Sequence, residues 1–264
     1  MINKNDMQTK PLIHCITNPI SINQCANAIL AIGAKPIMAE HPREVAEITR
    51  TADALMLNIG NITDARTKAM PISLREATTN NIPVVLDVVG FACSSLRKKF
   101  VQKLLKETVP TVIKGNYSEI FAMYNEKYNS SGVDADSSLS EENAEKAAVS
   151  LARKYNTIIL ATGKKDIVTD GKRLIYISNG TEQLSSVTGT GCMLGALCAS
   201  YLATDNSLDS VISACALLSI SGELSETPSG NATFMQRLMD RLTVITKADI
   251  QKYLKTEEKS IDEV

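Results

Sequence analysis

The chain is predicted to fold as an α/β protein with a mainly parallel central sheet flanked by helices, on the strength of three features. Six short runs rich in Ile, Val and Leu recur over its first two thirds: LIHCI, KPIMA, ALMLNIG, PVVLDVVG, TVIKGN and TIILATG. They are continuously apolar rather than alternating, which suits strands covered on both faces. Longer stretches of helical periodicity separate them, the pattern of βαβ crossovers.

Taken in order, LIHCI is followed by a helix over 23–32, with Gly33 placed as a C′ glycine. KPIMA precedes a helix over 42–51, and ALMLNIG one over 63–79, where Pro71 either kinks the helix or forces it to restart. PVVLDVVG leads to a helix over 94–108 and TVIKGN to one over 117–126. Residues 129–138 (NSSGVDADSS) are polar and aperiodic, an exposed loop. Ser140 with Glu141 and Glu142 opens a helix over 141–155 before TIILATG. The pattern then changes to DIVTDGKRLIYIS, a hairpin about Asp170-Gly171 at the sheet edge. Helices over 191–203, 208–225 and 233–242 follow, and the charged tail TEEKSIDEV is expected to fray. The expectation is one domain over 1–264, with frayed polar termini at about 1–10 and 255–264.

A formal net charge of −1 with scattered lysines leaves no field to hold a polyanion, so nucleic acid is not an expected partner. The opening MINKNDMQTK is too polar for a signal peptide, and no apolar run is long enough for a membrane helix, so the expected location is the cytoplasm. Cys15, Cys25, Cys93, Cys192, Cys198 and Cys215 contain no Cys-x-x-Cys pair, and His14 and His41 are the only histidines. That spacing supports neither a zinc site nor a disulfide framework. Five of the cysteines read as small buried hydrophobes, while Cys192 stands in an unusual setting.

That setting is SSVTGTGCMLGALCASYL, a glycine-rich turn running straight into an apolar helix. Backbone N–H groups of Gly189, Thr190 and Gly191, together with the helix dipole, form an anion hole for a phosphoryl group. The glycines miss the G-x-G-x-x-G spacing and no GxxxxGK[ST] occurs, which disfavours a Rossmann dehydrogenase and a P-loop enzyme. An ordinary connecting turn is the competing reading of the glycines alone. Two further segments should end at the same sheet edge: LDVVG with Asp87, and KGNYSE with Lys114, Asn116 and Glu119. Asp87 and Glu119 are a carboxylate pair suited to Mg²⁺, directly or through waters, with Lys114 neutralising phosphates. Each also has a plainer role, as a strand-end cap, a first-turn acid and a surface charge.

The blocks HCITNPISINQCANAILAIGAKPIMAE, LNIG, VVLDVVG, IKGNYSEI, LATGKKD and VTGTGC resemble, in order and spacing, the hydroxyethylthiazole kinases of thiamine salvage. The resemblance implies a ribokinase-like fold, a homotrimer with sites between subunits, and Mg·ATP-dependent phosphorylation of the primary alcohol of 4-methyl-5-(2-hydroxyethyl)thiazole. It puts the thiazole near Asn23, Met38 and Gly189, ATP near Lys114, Asn116 and Thr162, magnesium near Asp87 and Glu119, and Cys192 at the catalytic position. Without it, Asn23 reads as a helix cap, Met38 as core and Thr162 as part of a turn. Lys114 stands where many relatives have arginine and offers no bidentate fork. Val88 stands where Asp-Pro-Val-Gly is common.

Related kinases of the fold place an aspartate at the cysteine position. A thiol at a helix N-terminus is expected to have a lowered pKa and to orient or deprotonate the alcohol. Rival readings are a kinase for a pyrimidine alcohol, an acyl-transfer enzyme using Cys192 as nucleophile, and a binding protein that senses thiamine precursors. Because phosphoryl transfer depends mainly on positioning and charge neutralisation, a base supplies about 10²-fold or less. Cys192→Asp is therefore expected to retain turnover in an ADP-release assay; a folded, substrate-binding variant with none contradicts this.

Overall fold

The computed structural model describes residues 9–125, 128 and 139–261. The chain runs β1 (Leu12–Ile16), α1 (Ile22–Ala31), β2 (Lys35–Ile37), α2 (Val45–Thr51), β3 (Ala54–Asn58), α3 (Asp64–Thr79) and β4 (Val84–Asp87). After a short 3₁₀ turn at Phe91–Cys93 come α4 (Ser95–Glu107), β5 (Val112–Asn116), α5 (Tyr117–Tyr124), α6 (Glu141–Tyr155), β6 (Ile158–Thr162), β7 (Asp166–Thr169) and β8 (Leu174–Ile177). The last third holds α7 (Glu182–Ser185), α8 (Thr190–Leu202), α9 (Leu208–Glu223), α10 (Asn231–Val244), α11 (Lys247–Tyr253) and β9 (Thr256–Lys259).

One sheet of order β2-β1-β3-β4-β5-β6-β7-β8-β9 runs through these elements. It is parallel from β2 to β6 and antiparallel from β6 to β9. Helices cover both faces, which is why the central strands read as continuous apolar runs. In β3, Ala54 and Met56 point into a core shared with α1, α8, α9 and α10, while Leu55 and Leu57 point into a second core shared with α3 to α6; all four are fully buried. Local signals hold at several helix ends. Ser94 and Ser140 cap α4 and α6 by accepting from Arg97 N and Asn143 N, and Gly33 takes φ 92° just past α1. The Asp170-Gly171 turn joins β7 to β8, with Asp170 Oδ1 accepting from Lys172 N and Arg173 N, both at 2.8 Å.

The structure departs from expectation in three places. The helix expected from 42 starts at Val45, because His41 O accepts from Glu44 N and Val45 N in a preceding turn. Of the two alternatives at Pro71 the restart is excluded, since α3 runs through it as one helix with Met70 and Leu74 buried in the second core. The tail does not fray over its whole length, since Thr256–Lys259 pairs antiparallel with β8, so the hairpin is not at the edge. Backbone pairing with β8 carries β9, with ion pairs beside it: Lys259 Nζ to Glu145 Oε2 at 2.9 Å and Arg173 Nε to Glu258 Oε1 at 3.0 Å. An outermost strand with one open flank needs no apolar run, so its sequence carried no strand signal. Helices α7 and α11 were also not expected. The loop expected over 129–138 lies outside the described residues.

His14 in β1 is fully buried; its Nε2–H donates to Ala39 O and its Nδ1 accepts from Thr49 Oγ1, both at 2.9 Å. Burial lowers its pKa, outweighing the Ala39 bond and Glu44, which favour the charged form. The native state therefore binds fewer protons than the unfolded chain as pH falls through about 6.5, the ordinary histidine value, and stability drops there. Urea denaturation at about pH 7.5 and about pH 5.5 should show a smaller acid loss for His14→Gln than for the parent; equal losses would refute this.

Candidate active site

Strand β1 pairs with β2 on one side and β3 on the other, so the strand order reverses there, the point at which parallel sheets offer a crevice beyond the carboxyl ends of their strands. The first turn of α8 lies over that crevice. Two glycines allow it to do so. Gly189 precedes α8 with φ 94°, a left-handed conformation that side chains resist, and a methyl group on it would lie 3.2 Å from Ser21 Cβ. Gly195 brings α8 onto the sheet: a methyl group there would lie 2.9 Å from Met56 Cε and 3.6 Å from Asp87 Oδ2.

This docking delivers the half-buried Cys192 to the ends of β1, β3 and β4. Its sulfur receives Asn18 Nδ2 and Asn58 Nδ2, each at 3.3 Å. Asn58 Nδ2 also donates to Asp87 Oδ2 at 3.0 Å, and Lys114 Nζ reaches the same oxygen at 3.1 Å. Asp87 is 0% exposed and its Oδ1 is buried with no hydrogen-bond partner among the described residues. Lys114 Nζ lies 3.7 Å from where a Cβ on Gly191 would sit, so the ammonium stands beside the N-terminus of α8.

Burial governs the electrostatics of the cluster. It raises the Asp87 pKa against the opposing pull of Lys114 and Asn58. Burial also works against the Lys114 ammonium, but the charges of Asp87, Cys192 and Glu119 outweigh it and hold the pKa above the ordinary lysine value. Glu119 is pushed up to about 7 by burial and by Asp87, even though Oε1 accepts from Gly90 N at 2.6 Å and Oε2 from Asn116 N at 2.7 Å. The Cys192 thiol is raised, by burial first and Asp87 second, with Ser21, Lys114 and Asn18 pulling the other way. That corrects the expected lowering: desolvation and a neighbouring carboxylate outweigh the half charge of a helix N-terminus.

The other expected site residues are placed as follows. Asn116 caps α5, accepting from Glu119 N at 2.9 Å in a capping box completed by Glu119 itself. Thr162 ends β6 opposite Asn116 and donates to Gly115 O at 3.4 Å. Thr190 is buried, and its hydroxyl donates to Leu184 O at 2.7 Å and Val187 O at 3.2 Å, bracing the glycine turn. Asn23 is exposed on α1, where its Oδ1 accepts from Asn27 Nδ2 at 2.9 Å; the cap position of that helix belongs to Ser21. Met38 follows β2 and packs, half-buried, against the first core.

Sequence reasoning missed Asn18, Asn58, Thr17 and Ser21. Thr17 carries a buried hydroxyl without a hydrogen-bond partner among the described residues, and the buried Ser21 hydroxyl favours the charged form of the Cys192 sulfur. The available signal was polar residues closing the apolar runs LIHCI and ALMLN at the carboxyl edge of the sheet. For magnesium, the orphaned Asp87 Oδ1 fits a cation that needs few protein ligands. Glu119, with both oxygens committed to backbone N–H groups, fits a water-mediated role. Among the described residues no group of three or more His, Cys, Asp and Glu side chains gathers as a metal site, and no helix is long and apolar enough to cross a membrane.

A mainly parallel sheet with its strand order reversed at β1 and helices on both faces is the fold of the ribokinase-like proteins. A ribokinase-like superfamily protein from Enterococcus faecalis shares the fold at a TM-score of 0.60, with 13% identity over 91% of this chain and 88% of that one. The structure of a hydroxyethylthiazole kinase protein from Pyrococcus horikoshii matches at a TM-score of 0.89, with 35% identity over 97% of both chains. Hydroxyethylthiazole kinase 2 of Clostridium botulinum strain Hall is 47% identical over 251 residues, 93% of this chain and 95% of its own. The hydroxyethylthiazole kinase family model matches residues 4–248. The chain belongs to the hydroxyethylthiazole kinase family and is a kinase.

The ion pair predicts its own energetics. Removing one partner of a buried pair leaves an uncompensated charge, so Lys114→Met is expected to lose about 3–5 kcal/mol in urea unfolding at neutral pH. Adding Asp87→Asn should recover part of that loss. A single variant as stable as the parent, or a double variant at the sum of the two single losses, would refute the coupling.

Proposed function

We propose that this kinase transfers the γ-phosphoryl group of Mg·ATP to the primary alcohol of 4-methyl-5-(2-hydroxyethyl)thiazole, serving thiamine salvage in the cytoplasm. The observation that carries the reading is the convergence of the Cys192 sulfur, the Lys114 ammonium and the amino end of α8 at one crevice, in a chain of this family. Backbone N–H groups of Gly189, Thr190 and Gly191 receive the phosphoryl oxygens as charge develops on them. Lys114 neutralises the nucleotide phosphates, with Asn116 and Thr162 holding ATP at the ends of β5 and β6. Asp87, and Glu119 through water, would hold magnesium, which neutralises phosphate charge when bound.

Asn23, Met38 and Gly189 form the thiazole end of the reading. Asn23 faces solvent on α1, where Leu30 is 55% exposed, and Ile20 just before that helix is 62% exposed. An exposed site residue among exposed aliphatic side chains supports a homotrimer of single-domain subunits, with each site completed by a neighbouring copy. The alcohol oxygen attacks phosphorus as the bond to the ADP oxygen breaks. In a loose transition state the attacking oxygen gains little charge, so the hydroxyl proton leaves late and Cys192 acts chiefly by orienting the alcohol.

The test is ADP release with Mg·ATP and hydroxyethylthiazole, followed by mass spectrometry for the phosphate ester, with hydroxymethylpyrimidine in parallel. The thiazole ester alone is the expected product. Pyrimidine ester alone would move the assignment to the rival vitamin-precursor alcohol, and ATP binding without either ester would remove the thiazole as substrate.

A further inference from the structure

The two asparagines at the ends of β1 and β3 have a role that neither the family match nor the site expectations assign. Their amide orientations are fixed by backbone groups. Asn18 Oδ1 accepts from Ile20 N and Ser21 N, both at 3.1 Å, which leaves Nδ2 facing inward. Asn58 Oδ1 accepts from Gly60 N at 2.8 Å and from Asn18 Nδ2 at 3.1 Å, which turns its own Nδ2 inward as well. An amide nitrogen carries two hydrogens. One from each asparagine satisfies a neighbouring oxygen, Asn58 Oδ1 for Asn18 and Asp87 Oδ2 for Asn58; the second from each is aimed at Cys192 Sγ at 3.3 Å.

A thiolate has three lone pairs and a thiol two. Two amide donors occupy two lone pairs in either state, leaving one direction at the sulfur. A thiol fills that direction with S–H; a thiolate leaves a lone pair there, able to accept a hydrogen bond from an alcohol. The donors favour the thiolate because they strengthen with charge on the acceptor. We propose that the Asn18 and Asn58 amides form a cradle that positions the Cys192 sulfur and presents its third lone pair to the acceptor alcohol. Both are then positioning residues for phosphoryl transfer, acting through Cys192. The inference rests on the kinase reading above for its substrate and on the geometry for everything else.

The cradle differs from a network that merely satisfies buried polar groups, because its effect must pass through the sulfur. Asn18→Asp keeps the Oδ1 acceptor for Ile20 and Ser21 but replaces the donor with an oxygen facing Cys192. Alkylation of Cys192 by iodoacetamide across pH, read by mass spectrometry of its peptide, should show the apparent thiol pKa higher by about one unit. The kcat for the thiazole alcohol at about pH 7.5 should fall roughly tenfold, with KM for ATP changed less than about twofold. In a Cys192→Ala background the same substitution should change kcat by less than about twofold. Asn18→Ala provides a second, uncharged comparison with the same expected directions. An unshifted alkylation profile, or an equal kcat loss with and without the sulfur, overturns the cradle. If the parent protein phosphorylates no thiazole alcohol, the functional reading fails while the alkylation profile still decides the cradle.

Discussion

The site depends on one constraint, the burial of the Asp87 carboxylate at the carboxyl edge of the sheet. A carboxylate removed from water is costly unless it is paired and hydrogen-bonded, and the local architecture supplies both. Lys114 arrives from the next strand in register, since Asp87 and Lys114 are paired positions of β4 and β5. Asn58 comes from the strand on the other side, where it pairs with Asp87 across β3 and β4. Three adjacent parallel strands thus end on side chains that satisfy one another. Asp87 Oδ1 is the exception, buried with no hydrogen-bond partner among the described residues.

Helix α8 is fitted to that edge by what it lacks. A side chain at 189 would be strained by the positive φ and press on Ser21, and one at 195 would displace the end of Met56, so both glycines favour the close approach that brings Cys192 to the strand ends. Close approach also explains the thiol. Contact with the sheet desolvates Cys192 and sets it near Asp87, so the dipole that would favour a thiolate on an exposed helix is overridden. Ser21, Lys114 and Asn18 act in the opposite direction without outweighing burial and Asp87, an outcome that the helix start alone does not determine.

Most of the apolar packing lies away from the site. Two cores on opposite faces, joined by strands such as β3 that feed alternate side chains to each, hold the sheet, while the buried Lys114–Asp87 pair couples the site to the stability of the fold. Strands β7 and β8 share in both cores through Ile167, Val168, Leu174, Ile175 and Ile177, while β9 adds ion pairs at the outer edge and Tyr176 meets Glu145 beneath it. The crevice lies instead among the parallel strands, where every backbone loop begins at a carboxyl end.

The amino-acid sequence by itself determined the layered α/β plan, the positions of the first six strands, the hairpin and the glycine-rich start of α8. Each of these is written in local periodicity or turn chemistry. Asp87, Lys114, Glu119 and Cys192 were candidates whose plainer readings only the family resemblance outweighed, and the structure brings Asp87, Lys114 and Cys192 into one cluster. What only the tertiary structure decided is which side chains meet. Asn18 and Asn58 are 40 residues apart and unremarkable until β1 and β3 pair, and β9 has no apolar pattern until β8 offers an edge. The direction of the Cys192 pKa likewise depends on packing. Periodicity reports how a segment relates to water, whereas hydrogen-bond partners, desolvation and the reach of a charge are set by distances between segments far apart in the chain.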